Sequence, residues 1–135
     1  MAKKQPKLDF VIICDDIREE VSQKLSYIGV YNDIIVSKLP YIFPKLCFSL
    51  YYSNISSGDK VSIGVKNPSG KSIVKPVDIV LPTEIKGYSK FTFFAIFSPI
   101  EVKEDGAFNL SIIINDDETK ITDYPFTIKG PNNNV

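Results

Sequence analysis

The chain contains no histidine. That single absence removes the Ser-His-Asp and Cys-His nucleophile arrangements, the imidazole zinc ligand and any side chain that would switch charge near neutral pH. Cysteine is scarce as well: Cys14 and Cys47 are the whole supply. Two cysteines alone cannot build a disulfide framework, and they lack the close pairing of a zinc or redox motif. They read as reduced core residues, because free cysteine packs like a small hydrophobe. Net charge is missing too, with sixteen basic residues against sixteen acidic ones. No overall field therefore favours nucleic acid or an anionic membrane.

Long apolar runs are absent. The basic opening MAKKQPKLDFVIICDD holds only the short run Phe10–Cys14 before its acids begin. That is too short for a signal-peptide core and far too short to span a bilayer. The expected location is cytoplasmic, or a host cytoplasm if the source is viral. On that reading the sequons Asn54-Ile55-Ser56 and Asn109-Leu110-Ser111 carry no weight.

The 135 residues suit one domain that buries roughly two-thirds of its unfolded surface. Its expected extent is residues 7–129, with polar, frayed ends at 1–6 and 130–135. Apolar residues alternate at period two, a strand signal. Leu46, Phe48 and Leu50 oppose Cys47, Ser49 and Tyr51; Val61, Ile63 and Val65 form another face, as do Phe108, Leu110, Ile112 and Ile114. Phe91, Phe93, Ala95 and Phe97 do the same, and the intervening Phe94 and Ile96 predict that this strand is covered on both sides. Turn signals separate the runs: Ser56-Ser57-Gly58-Asp59, Asn67-Pro68-Ser69-Gly70, Glu104-Asp105-Gly106 and Asn115-Asp116-Asp117-Glu118. The predicted fold is all-β: one antiparallel β-sandwich, immunoglobulin-like, of about seven to nine strands. One exception stays open over residues 16–24. Asp16 resembles a helix N-cap, Glu19 follows three residues on, and Ile17, Val21 and Leu25 recur at helical spacing. Two helical turns and an ordered loop are both compatible with that pattern.

Four stretches carry a resemblance that runs through the whole chain. FVIICDD is an apolar strand ending in an acidic pair. KLSYIGVYNDI leads from a K-L-S-apolar-apolar-G strand to an aspartate and an apolar pair. PYIFPKLCFSLYY feeds a strand through a proline-aromatic crossover, and DGAFNLSIIINDDE is a terminal hairpin. Together they resemble a family of small, functionally uncharacterised bacterial immunoglobulin-like β-sandwich proteins. The resemblance implies fold and no assigned chemistry. The segment IREEVSQ departs from the family in being unusually charged.

Candidate sites follow from what remains. The acids Asp15, Asp16, Glu19 and Glu20 form the densest charge. If strands simply alternate in direction, they share a pole with Asp59, Glu84 and the Asp116–Glu118 loop. Calcium takes six to eight oxygens from such loops, so Asp15, Asp16, Asp116 and Asp117 are the candidate ligands of a metal or small-ligand site. Solvated loop charge is the plainer reading. Paired-carboxylate hydrolysis would need facing acids across an apolar cleft, and these follow one another along the chain. Arg18 could anchor an ion-pair network or an interface. Gly70-Lys71-Ser72 fails as a phosphate loop, because the required glycine is Val65 and a strand, not a helix, follows. The aromatic surplus is the least ordinary feature. Tyr27, Tyr31, Tyr41, Phe43, Tyr51, Tyr52 and Tyr88 exceed what one core readily hides, and tyrosine suits contact surfaces. Edge packing under a crossover is the competing account.

The sequence thus points to a non-enzymatic cytoplasmic binding or adaptor domain without cofactor. It would act through Tyr27, Tyr31, Tyr51, Tyr52, Arg18, Tyr41 and Phe43 on a protein partner, or on a second copy through edge pairing.

Overall fold

A computed structural model describes residues 5–82 and 89–131. Glu84 and Tyr88, and the outermost parts of both predicted frayed ends, lie outside the described residues. Those described form eleven strands and no helix: β1 (Lys7–Glu19), β2 (Leu25–Val30), β3 (Ile34–Ile35), β4 (Tyr41–Phe43), β5 (Leu46–Ile55), β6 (Lys60–Lys66), β7 (Val77–Val80), β8 (Ser89–Phe97), β9 (Ile100–Val102), β10 (Gly106–Ile114) and β11 (Thr122–Lys129). Three sheets result, in the orders β2-β1-β5-β8, β3-β11-β10-β6-β7 and β4-β9. No helix among the described residues is long and apolar enough to cross a membrane.

The alternating faces assemble one core from both larger sheets. Leu46, Phe48, Leu50 and Phe93 of the first sheet meet Val61, Ile63, Phe108, Leu110 and Ile112 of the second. Phe48 and Phe126 touch across the gap, ring centroids 5.3 Å apart. Each such fully buried side chain stabilises the fold by about 1.5–3 kcal/mol. The turns are where the sequence places them. Gly70 N–H donates to Asn67 O at 2.8 Å with Gly70 at φ +82°, and Asn115 and Asp116 both adopt left-handed backbone between β10 and β11.

Five expectations are corrected. The acidic segment is not helical: β1 continues as strand to Glu19, because Ile17, Arg18 and Glu19 pair with Tyr27, Ser26 and Leu25 of β2. A short isolated helix saves too few hydrogen bonds to compete with a ladder flanked by another strand. Glu20–Lys24 closes this hairpin, with Glu20 N–H donating to Lys24 O at 2.7 Å and Gln23 left-handed at φ +68°. The pairing is not purely antiparallel, since β3 runs parallel to β11 through Ile34↔Ile128 and Ile35↔Lys129. The described residues form eleven strands rather than seven to nine, because β3 and the small β4-β9 pair arise within the connections. β3 also breaks the simple alternation of direction that would have put the acidic loops at one pole. Lastly, Phe94 and Ile96 are not covered: they are 37 % and 39 % exposed, because among the described residues β8 ends its sheet and no strand is layered over the face they occupy.

Candidate functional site

Register partners across a sheet stand on the same face. In the first large sheet the rows Val11–Leu50–Phe93 and Ile13–Phe48–Ala95 turn inward. The alternate rows Phe10–Tyr51–Thr92, Ile12–Ser49–Phe94 and Cys14–Cys47–Ile96 turn away from that core. This outer face is unusually apolar. Phe10 is 50 % exposed and stacks on Tyr51, ring centroids 4.2 Å apart at 15°.

The β1–β2 hairpin covers part of this face. Ile17, Leu25 and Tyr27 pack with Cys14 and Cys47 in a second small apolar cluster, and both cysteines are fully buried. Period-two alternation has slipped here, because Ile17 joins Cys14, three residues earlier, instead of Ile13. Tyr27 reaches across to β5, where its hydroxyl bonds Ser49 Oγ at 2.9 Å and the Tyr51 hydroxyl. Burial is the chief cause raising the Tyr27 phenol, to about 12; the Ser49 bond opposes it and Tyr51 adds to it. Between the hairpin and β8 runs an open groove of about 800 Å³, whose lining includes Leu25, Tyr51, Phe91 and Phe94 with Glu19 and Lys24. A recess of about 480 Å³ beyond Tyr51 is bounded by Asp9, Phe10, Phe91 and Lys90. The result is an aromatic floor with charges of both signs around it, a composition that suits contact with another macromolecule.

The predicted residues divide. Tyr27 and Tyr51 come together in this face. Tyr31 does not join them; its hydroxyl donates to Asp15 Oδ1 at 2.5 Å, and burial followed by that carboxylate raises its phenol well above the ordinary value. Gly29 makes the contact feasible: it sits at φ +68°, and a Cβ there would overlap the Asp15 carboxylate. Tyr52 is 1 % exposed and belongs to the core, edge-on to Phe93. Phe43 is likewise buried, packing edge-on against the half-buried Tyr41 in β4, away from the aromatic face. Tyr52 and Phe43 therefore offer no surface, contrary to expectation. Arg18 is largely exposed and bonds Asp16 Oδ2 through Nε at 3.3 Å.

The acidic pairs do not converge. Asp16 holds Lys45 Nζ at 3.1 Å, just before β5 begins. Its carboxyl lies below the ordinary range because of Lys45 first and Arg18 second. Asp116 holds Lys60 Nζ at 2.9 Å, just beyond the other end of β5, and neighbouring Asn115 Nδ2 donates to Asp59 Oδ1 at 3.0 Å. Asp117 is occupied by Thr119. Ten strand residues separate the two ends, about 30 Å of extended chain. Among the described residues no three acidic, cysteine or histidine side chains gather as a metal site.

Sequence reasoning missed Phe10 as a surface residue and took Phe94 and Ile96 as covered. The available signal was apolar residues on both faces of a strand, which marks a second contact of some kind without saying whether the chain itself supplies it. A family model described only as a family of unknown function matches residues 9–129. No curated protein matches the chain.

Proposed function

The chain belongs to DUF6941, a family of unknown function, and from that premise we propose that it is a non-enzymatic, cytoplasmic binding or adaptor domain that holds a protein partner on the outer face of the β2-β1-β5-β8 sheet. One observation carries the reading. Phe10, Tyr51, Phe94 and Ile96 all stand on the side of the sheet away from its core, with Phe10 stacked on Tyr51. Apolar side chains gathered on one exposed face are costly to leave in water and are characteristic of interaction sites. The absence of histidine supports the non-enzymatic part, since the commonest general base and nucleophile partner is missing.

The proposed architecture is an immunoglobulin-like sandwich. Its support is the strand order: β7-β6-β10-β11 follows the C′-C-F-G order of variable-type domains, and β1-β5-β8 follows A-B-E. The β2 strand is then an addition at the edge, and it is the addition that frames the groove. The chain departs from antibody domains in having no tryptophan and in turning Cys47 away from the main core.

Affinity capture from lysate of the source cells tests the function. Wild-type protein should enrich a specific partner, and a folded Phe10→Ser/Phe94→Ser variant should lose it by about tenfold or more, as expected for two aromatic anchors. Equal capture by both proteins, or nothing above background across several salt concentrations, would overturn the proposal. Light scattering of the purified protein separates a second copy of the chain from a foreign partner.

A further inference from the structure

We propose that Cys14 and Cys47 form a dithiol–disulfide pair, a redox-modifiable staple between β1 and β5. The two residues are direct register partners in an antiparallel ladder, which fixes their Cα atoms about 4.5–5.5 Å apart. A disulfide needs roughly 4.4–6.8 Å and side chains on one side of the sheet, and register partners satisfy both conditions. The side chains share one environment. Both belong to one buried cluster, and their thiols donate to the carbonyls of adjacent residues, Cys14 Sγ to Asp16 O at 3.3 Å and Cys47 Sγ to Asp15 O at 3.5 Å. The β1–β5 register therefore already meets the backbone spacing that the bond requires.

A small-molecule disulfide is the oxidant the reaction needs. One protein thiolate attacks its sulfur, giving a mixed disulfide and releasing one small thiol. The second protein thiolate then attacks the protein-side sulfur of that mixed disulfide, forming Cys14–Cys47 and releasing the second small thiol. The protein loses two protons and two electrons, and the small disulfide gains them. In the folded chain both thiols are fully covered by the hairpin residues Ile17, Leu25 and Tyr27, and burial raises both, Cys47 to about 11. Few thiolates and poor access make exchange slow in the native state. Folding itself is the moment when the pair can equilibrate. Once closed, the bond ties β1 to β5 directly beneath Tyr27, at the base of the hairpin that frames the groove.

The test is refolding to equilibrium in glutathione/glutathione-disulfide buffers, read by acid quenching, intact mass and thiol counting under denaturing conditions. The same measurement in strong denaturant provides the reference. A loop of about 30 residues closed in its native geometry should make the bond on the order of 10²–10³ times more favourable in the folded than in the unfolded chain. The oxidised protein should also melt about 10 °C higher, reversibly on reduction. Cys14→Ser and Cys47→Ser should each give at most a glutathione adduct and no gain in melting temperature. Equal equilibrium constants in folded and unfolded protein would overturn the proposal. So would glutathione on both sulfurs, disulfide-linked dimers as the main product, or an oxidised monomer that melts lower than the reduced one.

Discussion

Tyr52→Phe should stabilise this protein, although it deletes a polar group from the core. The Tyr52 hydroxyl is fully buried and has no hydrogen-bond partner among the described residues, and burial alone holds its phenol above the ordinary value. A buried, unsatisfied hydroxyl costs about 1–3 kcal/mol of desolvation that nothing returns. Phenylalanine keeps the ring and its edge contact with Phe93, at 5.8 Å between centroids. The void left by one oxygen, about 10 Å³, costs only about 0.2 kcal/mol at roughly 24 cal/mol per Å³. The net expectation is a gain of about 1–2 kcal/mol, or a rise of roughly 3–8 °C in melting temperature. Tyr27→Phe is the paired control. It makes the same chemical change where the hydroxyl bonds Ser49 and Tyr51, so it should destabilise by about 0.5–1.5 kcal/mol. Urea denaturation of both variants reads the sign directly. A Tyr52→Phe protein less stable than wild type by more than about 0.5 kcal/mol would show that the hydroxyl has a partner, such as an ordered water, and would refute the reasoning.

Gly29→Ala should destabilise by about 1–3 kcal/mol, because it combines a left-handed backbone at φ +68° with a Cβ placed in the Asp15 carboxylate; a melting temperature equal to wild type would contradict this. Tyr27, Tyr31 and Tyr52 all have folded-state values above the ordinary 10.0, with burial the largest cause in each. A raised value means that the folded chain holds the proton more tightly. Ionisation of these groups therefore leaves stability untouched below pH 10, and stability falls as pH rises from there through the folded values, about 12 for Tyr27. A spectrophotometric titration should show these phenols ionising only above pH 10, together with loss of the circular dichroism of the sheets. Every tyrosine ionising in one step at the ordinary value, with the fold intact, would contradict the assignment.

Alternation made most of the inward faces legible in the sequence. Phe48, Leu50, Ile63 and Leu110 lie where period two places them, because a strand has only two sides and burial of one fixes the register. What alternation cannot express is the second side. Tyr51 and Tyr52 adjoin in sequence and look alike as contact residues, yet a strand turns successive side chains to opposite faces. One therefore had to enter the core, and Leu50 and Phe93 decide which. The same limit explains Phe94. An apolar residue opposite a core face predicts a covering layer, but whether that layer is this chain or another molecule depends on strand order, which is a long-range property. The acidic segment failed for a related reason. Local capping signals at Asp16 are real, but their worth is about 1 kcal/mol, and the β2 partner that overrides them lies beyond a turn that the local pattern does not contain. Cys14 and Cys47 are the extreme case. Distant in sequence, they become neighbours only through the β1–β5 register, so the chemistry most specific to this chain is a product of topology that neither cysteine's local sequence could announce.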